Sequence, residues 1–299
     1  MKAFCPVLNE DDVHAVLRMD QLIPAMERAL VELSAGHVVQ PLRTVLPIAE
    51  QQGFFGVMPA YAGSLGAKLV TFYPNNTHIP THHALIVLFK PETGEPLAMM
   101  DGRLITEMRT AAVSAVATKA LARENVSVLG IIGSGVQARS HLQALRLVRS
   151  FEEVRVWSPN SAAGFAKEFQ ISAASSAQEA VHGADVVVVA TTSRIPVLRG
   201  EWLSRGTHIN AVGACRPDWR ELDEVVLERA NVFVESREAS LAESGDIIAS
   251  GKVPVEIGEV ITGKVKGRSS TDEITLFKSV GVAVEDVVAA DLVYRRSLE

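Results

Sequence analysis

The chain of 299 residues is long enough for one large domain or two ordinary ones, and with 47% hydrophobic and 21% charged residues it is neither disordered nor collagen-like. Its 29 Lys and Arg against 35 Asp and Glu give a net charge of −6 with no basic block, so a small-molecule partner is expected and no nucleic acid. Two cysteines, Cys5 and Cys215, make no disulfide framework, Met1–Pro6 has no apolar run of signal-peptide length, and Val186–Ala190 is far short of a membrane span; a reduced, cytoplasmic chain with no membrane partner is expected.

In chain order, Asn9 is placed to cap a short helix through His14 to Leu17. Asp20 is placed to cap a longer one, with Leu22, Met26, Leu30 and Leu33 at helical spacing and Gly36 as its stop. Short apolar runs follow at Arg43–Ile48, Phe54–Tyr61, Lys68–Tyr73, Ala84–Phe89 and Leu97–Met100, and read as antiparallel strands. Pro91-Glu92-Thr93-Gly94 is a hairpin turn between the last two. Leu104–Ala122 is helical and rich in alanine.

The period then changes. Val126–Ile132 is a continuous apolar strand, followed by a Gly-rich turn and a helix over Val136–Val148. Val154–Trp157, Asp185–Ala190, His208–Val212 and Asn231–Val234 are further apolar strands, and Ser172–Ala177 reads as a loop. Apolar strands alternating with helices argue for a parallel sheet covered on both faces. Lys278–Tyr294 reads as helical, with Val282, Val284, Val287, Val288 and Leu292 as its apolar set.

Gly133, Gly135 and Ala138 form a G-x-G-x-x-A turn directly after the Val126–Ile132 strand and at the opening of a helix. A turn without a Cβ, close approach to a pyrophosphate, and tight helix–strand packing each require a small residue at these places. Amides at the helix start, through Val136 and Gln137, then face the phosphates, so a dinucleotide is the expected cofactor. The next strand ends at Val156-Trp157-Ser158-Pro159-Asn160, with no Asp or Glu to accept a ribose 2′-hydroxyl. Ser158 and Asn160 tolerate a 2′-phosphate, although no Arg is present there, so NADPH is expected in preference to NADH.

Long segments resemble the ornithine cyclodeaminase/mu-crystallin family, and within it the mu-crystallin, or ketimine reductase, branch. They include Phe54–Tyr61, Lys68–Tyr73, Met100-Asp101-Gly102, Arg109-Thr110-Ala111-Ala112, the Gly133 turn and His208–Gly213. Arg216-Pro217-Asp218-Trp219-Arg220-Glu221-Leu222, Glu243-Ser244-Gly245-Asp246 and Lys278-Ser279-Val280-Gly281 complete them. The resemblance implies an α/β architecture, a Rossmann dinucleotide-binding domain over 116–275 and an α+β substrate-binding and dimerisation domain over 1–115 with 276–299. It also implies a homodimer formed through the sheet of the second of these.

At the substrate end the resemblance implies a carboxylate clamp of Arg43, Lys68 and Arg109, with Lys68 and Arg109 also catalytic and Arg109 close to the cofactor. Three cations converging on a cleft suit a small carboxylate, and a bidentate Arg fixes its orientation better than Lys does. Glu243 matches a residue near the ligand, where a carboxylate stabilises positive charge on an iminium. Thr81 and His82 match a Ser-His pair beside the cofactor, and Ser279 and Val280 place backbone near the nicotinamide. His82-His83 is not a metal pair, because neighbours on a strand point to opposite faces, and no metal is expected. True cyclodeaminases resemble G-G-D-C-P-G-K where this chain has Val212-Gly213-Ala214-Cys215-Arg216-Pro217-Asp218, and Cys215 is read at the place of that Asp. A neutral thiol is a poor acid–base group, so Cys215 is read as a small buried filler at the cofactor edge.

The expected activity is reduction of a cyclic α-imino acid of the pyrroline- or piperideine-2-carboxylate type. The alternatives are an ornithine or lysine cyclodeaminase, a non-catalytic protein holding NADPH and a carboxylate ligand, and an alanine-dehydrogenase-like enzyme.

Overall fold

The computed structural model describes residues 5–299; the expectation about the start of the chain falls mostly on residues outside that range. Two compact units emerge, Met1–Arg109 with Val282–Glu299, and Thr110–Gly281. The breaks expected after residues 115 and 275 fall instead after 109 and 281.

The first unit contains β1 (Val7–Leu8), α1 (Glu10–Val16), α2 (Met19–Ser34), β2 (Thr44–Ile48), β3 (Gly53–Tyr61), β4 (Leu65–Phe72), β5 (His82–Phe89) and β6 (Pro96–Asp101). It also holds the start of α3 (Arg103–Leu121) and the C-terminal helix Ala283–Ser297. Asn9 caps α1 reciprocally: Asp12 N donates to Asn9 Oδ1 at 3.0 Å and Asn9 N to Asp12 Oδ2 at 2.9 Å. Asp20 does not cap α2; Arg18 holds that place, and Asp20 lies in the first turn, paired with Arg18 at 3.0 Å. An acid is favourable there because it meets the positive end of the helix dipole.

The strands form one sheet in the order β1-β6-β5-β4-β3-β2, antiparallel except that β1 runs parallel to β6. Alternation decides its faces. Met58, Lys68, Val70, Ala84, Ile86 and Leu88 are buried, and the C-terminal helix lies on their side, with Val287 against Gly66. On the opposite face Val57 pairs with Leu69 and Leu69 with Leu85, and Leu85 is 46% exposed.

The second unit continues with β7 (Val128–Ile132), α4 (Val136–Leu145), β8 (Glu153–Trp157), α5 (Ala162–Phe169), β9 (Ser172–Ala173), α6 (Ala177–Val181), β10 (Val186–Val189) and β11 (His208–Ala211). Next come α7 (Glu224–Arg229), β12 (Ala230–Val234), α8 (Arg237–Glu243), α9 (Gly245–Ser250), β13 (Val255–Glu256), α10 (Ile257–Ile261) and β14 (Ile274–Lys278). All pairings are parallel, in the order β13-β12-β14-β11-β10-β7-β8-β9. This is the doubly wound Rossmann arrangement, and its order reverses between β7 and β10. Every residue of β10 is fully buried, as its unbroken valine run requires.

Two readings are corrected here. Lys278 closes a buried strand, and the helix begins only at Ala283; Gly281, at φ +71°, separates the two. Ser172–Ala177 is not all loop, because Ser172 and Ala173 pair with β8 and Ala177 opens α6.

Candidate functional site

In the first unit, the even-numbered face of β4 and β5 carries Lys68 under the start of the C-terminal helix. Lys68 Nζ lies 2.6 Å from Asp286 Oδ2. Arg109 Nε donates to Asp286 Oδ1 at 2.9 Å, and its Nη1 donates to Glu285 Oε2 at 2.7 Å. All four side chains are buried. The two acids were not anticipated: a helix that reads Ala283-Val284-Glu285-Asp286 gives an acid no sign of burial, whereas first-turn acids are favourable at its dipole. Lys68 and Arg109 are therefore not bare cations, and two carboxylates hold them in place.

The charges act on one another through a poorly solvated region. Burial pushes the Lys68 ammonium down to about 8; Asp286 opposes that shift, and Arg109 and Arg43 add to it. Burial pushes the Asp286 carboxyl up, yet Arg109 and Lys68 outweigh it and hold the group below its ordinary range. His82, at the start of β5, is lowered to about 4 by burial and then by Lys68 and Arg109, so its ring is neutral at pH 7. Arg43, Lys68, His82 and Arg109 thus share one electrostatic neighbourhood. His83 is exposed, on the other face of the strand. Thr81 lies just ahead of β5, where its carbonyl accepts from Tyr73 N at 2.7 Å.

In the second unit the Gly133 turn sits where the sheet order reverses. Gly133 has φ +111°, and a Cβ there would lie 2.2 Å from the Ala190 carbonyl oxygen, so only glycine fits. At Gly135, the residue before α4, a Cβ would meet nothing within 4 Å, and no side chain caps the helix start. Ala138 is fully buried, Val136 is 53% exposed at the first helical position, and Gln137 Oε1 is buried without a protein partner. Open space over uncapped amides, with an orphaned polar atom beside it, fits a bound dinucleotide phosphate.

At the end of β8, Ser134 Oγ lies 2.8 Å from Ser158 Oγ and 2.6 Å from Ser161 Oγ. Asn160 is exposed beside them. Ser134, the residue inside the glycine motif, was not singled out from sequence, and it joins the turn to the predicted Ser158.

Three of the resembling segments meet in one buried charge cluster. Glu221 Oε1 accepts from Thr191 N at 2.9 Å and from Thr191 Oγ1 at 2.6 Å, and its Oε2 from Gly213 N at 2.7 Å and Ala214 N at 3.0 Å. Asp246 Oδ1 accepts from Glu221 N and Leu222 N, each at 3.1 Å. Lys278 Nζ is 3.8 Å from Asp246 Oδ2, and none of the three side chains reaches solvent. Burial raises both the Glu221 and the Asp246 carboxyl. The cluster pins the loops that leave β10 and β11. Cys215 stands in the second of these, its N–H on Gly213 O at 3.0 Å. It is half-buried, not the buried filler expected, since it stands in the loop after β11 and outside the sheet. Ser279 N donates to Ala211 O at 3.0 Å, and Val280 N to Glu235 Oε2 at 3.3 Å, which fixes the backbone after β14. Glu243 ends α8, half-buried. Among the described residues no helix is long and apolar enough to cross a membrane.

Known proteins resemble this chain along nearly its whole length. Residues 6–299 match the ornithine cyclodeaminase/mu-crystallin family. The ketimine reductase mu-crystallin of Mus musculus is 49% identical, with 98% of each chain covered. The Δ1-pyrroline-2-carboxylate reductase of Thermococcus litoralis, solved with NADH and L-proline, is 41% identical with a TM-score of 0.93, covering 98% of this chain and 97% of that one. An archaeal alanine dehydrogenase dimer with bound NAD is 38% identical, also at 0.93, covering 98% and 96%.

Proposed function

The chain belongs to the ornithine cyclodeaminase/mu-crystallin family, and from that premise we propose that it is an NADPH-dependent reductase of cyclic α-imino acids, of the pyrroline- or piperideine-2-carboxylate type. That it is an oxidoreductase acting on imines with a nicotinamide dinucleotide follows from relatives that match from end to end. The observation that carries the finer reading is the buried Lys68, beside Arg109 and lowered to about 8.

Reduction of a cyclic imine needs a proton on nitrogen and a hydride on the adjacent carbon; the nicotinamide supplies the hydride when bound. Arg109 presents a planar fork to the substrate carboxylate, and Arg43 adds positive charge. Lys68 carries a proton at neutral pH and gives it up readily, because its pKa lies close to the working pH. One of its three N–H groups is engaged by Asp286, and the others serve the imino acid. His82, neutral at pH 7, orients through hydrogen bonds without adding charge. Glu243 stabilises the iminium cation. The family resemblance supports Thr81 in the first unit and Ser279 and Val280 in the second as cofactor residues, and Cys215 in place of an acid–base Asp disfavours cyclodeamination.

The serine cluster around Ser134, with no carboxylate at the end of β8, supports NADPH; NADH lacks the acid that grips its 2′-hydroxyl, yet fits the same hydroxyls. The uncovered apolar face that includes Leu69 and Leu85 supports a homodimer formed through the first unit's sheet.

The test follows the reduced-nicotinamide absorbance while NADPH and NADH are offered in turn with pyrroline-2-carboxylate and piperideine-2-carboxylate. Rapid oxidation with either imine, faster with NADPH, is the expected result. Silence with imines and ammonia release from ornithine with NAD would refute the reading in favour of a cyclodeaminase. Silence throughout, with NADPH still bound, would leave a binding protein.

A further inference from the structure

We infer that Asp286 is a positioning residue, whose carboxylate holds the Lys68 proton and the Arg109 guanidinium in fixed relation to one another. Each oxygen of this one carboxylate serves a different cation: Oδ2 takes Lys68 at 2.6 Å and Oδ1 takes Arg109 Nε at 2.9 Å. Glu285, one residue earlier on the same helix, takes Arg109 Nη1 at 2.7 Å. Arg109 is thereby gripped at two points of its rigid fork, which sets the plane it offers to a carboxylate. The C-terminal helix packs on β3, β4 and β5, so Asp286 is delivered by a braced element, not by a loop.

The groups facing Lys68 are Asp286 on that helix, Arg109 on α3, Arg43 ahead of β2, and His82 on β5. Of these only Asp286 is negative and in contact. It therefore keeps a proton on a lysine that burial and two arginines would otherwise strip. It also keeps Lys68 and Arg109 from repelling one another apart. The inference rests on the reading of Lys68 as the proton donor to the imine.

The test compares wild type with Asp286→Asn and Asp286→Glu. The measurements are thermal melting, NADPH affinity, the pH profile of kcat/KM with the imino acid, and the titration of the Lys68 Cε resonance in 13C-lysine-labelled protein, assigned with Lys68→Arg. In Asp286→Asn the basic limb and the Lys68 resonance are expected to move together to lower pH, by about one unit or more, with NADPH affinity nearly unchanged. A folded Asp286→Asn whose limb and resonance stay in place overturns the inference. Should Asp286→Asn fail to fold, Asp286→Glu carries the test: it keeps the charge but displaces it, so kcat is expected to fall about tenfold or more with little movement of the limb. An Asp286→Glu with unchanged kcat overturns the inference. If wild type itself reduces no imine, it is the proposed function that fails. The Lys68 resonance then decides alone: a shift supports Asp286 as the holder of that proton, and none overturns it.

Discussion

Replacing Glu221 by Gln keeps the shape of the side chain and removes half of its accepting capacity. The carboxylate receives four donors, two on each oxygen, from Thr191, Gly213 and Ala214. A glutamine has one oxygen to offer. With its amide toward Gly213 and Ala214, two backbone N–H groups lose their acceptor. With its amide toward Thr191 the hydroxyl turns round to accept, and only the Thr191 N–H is orphaned, so this flip is cheaper. An orphaned buried N–H costs about 1–3 kcal/mol. Removing a buried negative charge gives part of that back, since burial disfavours the Glu221 carboxylate. It also leaves Lys278 with Asp246, at 3.8 Å, as its remaining buried counter-charge in the cluster. A net loss of about 2 kcal/mol follows, which for a body of this size lowers Tm by about 4–8 °C. Circular-dichroism melting at pH 7 reads the shift, and an NADPH titration should show weakened binding alongside it. An unchanged Tm would refute the idea that this carboxylate is what holds the two loops.

Three more outcomes are expected. Arg109→Lys keeps the charge and loses the fork, so kcat/KM for the imino acid falls by about 10- to 100-fold with NADPH affinity retained, as steady-state kinetics and a fluorescence titration will tell. With Lys68 as the proposed proton donor, imine reduction in wild type is expected to decline as pH rises through about 8; His82, lowered to about 4, adds no limb between pH 5 and 9, and rates measured across pH 5–10 check both. Leu85→Asp puts a charge on the apolar sheet face, so light scattering is expected to show the proposed dimer for wild type and a monomer for the variant, without loss of helix or strand in circular dichroism.

Much of the fold is written in local pattern. The alternation along Phe54–Tyr61 and Ala84–Phe89, the continuous Val186–Val189 run and the Gly133 turn each have a local cause, and each lies close to where it was expected. Other features depend on the rest of the chain. Ile274–Lys278 hides as a strand because a charged lysine ends it, and that lysine is tolerable only beside Asp246 and Glu221. Glu285 and Asp286 look like a solvated helix start, and their burial makes sense only once Lys68 and Arg109 stand opposite. The cations of the site were visible as residue types at matching motifs. Their counter-ions came from the far end of the sequence, where no local signal marks them.

The place of β14 has a consequence for how the protein is made. It is the last strand in sequence, yet it lies between β11 and β12, so β12 and β13 reach the rest of the sheet only through it. The first unit has the same dependence, since its core receives the C-terminal helix. A nascent chain emerges from its N-terminus, and neither body can close until β14 and the helix over Ala283–Ser297 have left the ribosome. Until then the edge of β11 and the helix-side face of β4 and β5 are bare. Such long-range closure is slow and exposes apolar surface, so chaperone demand and aggregation should concentrate in chains stalled or truncated shortly before Ile274.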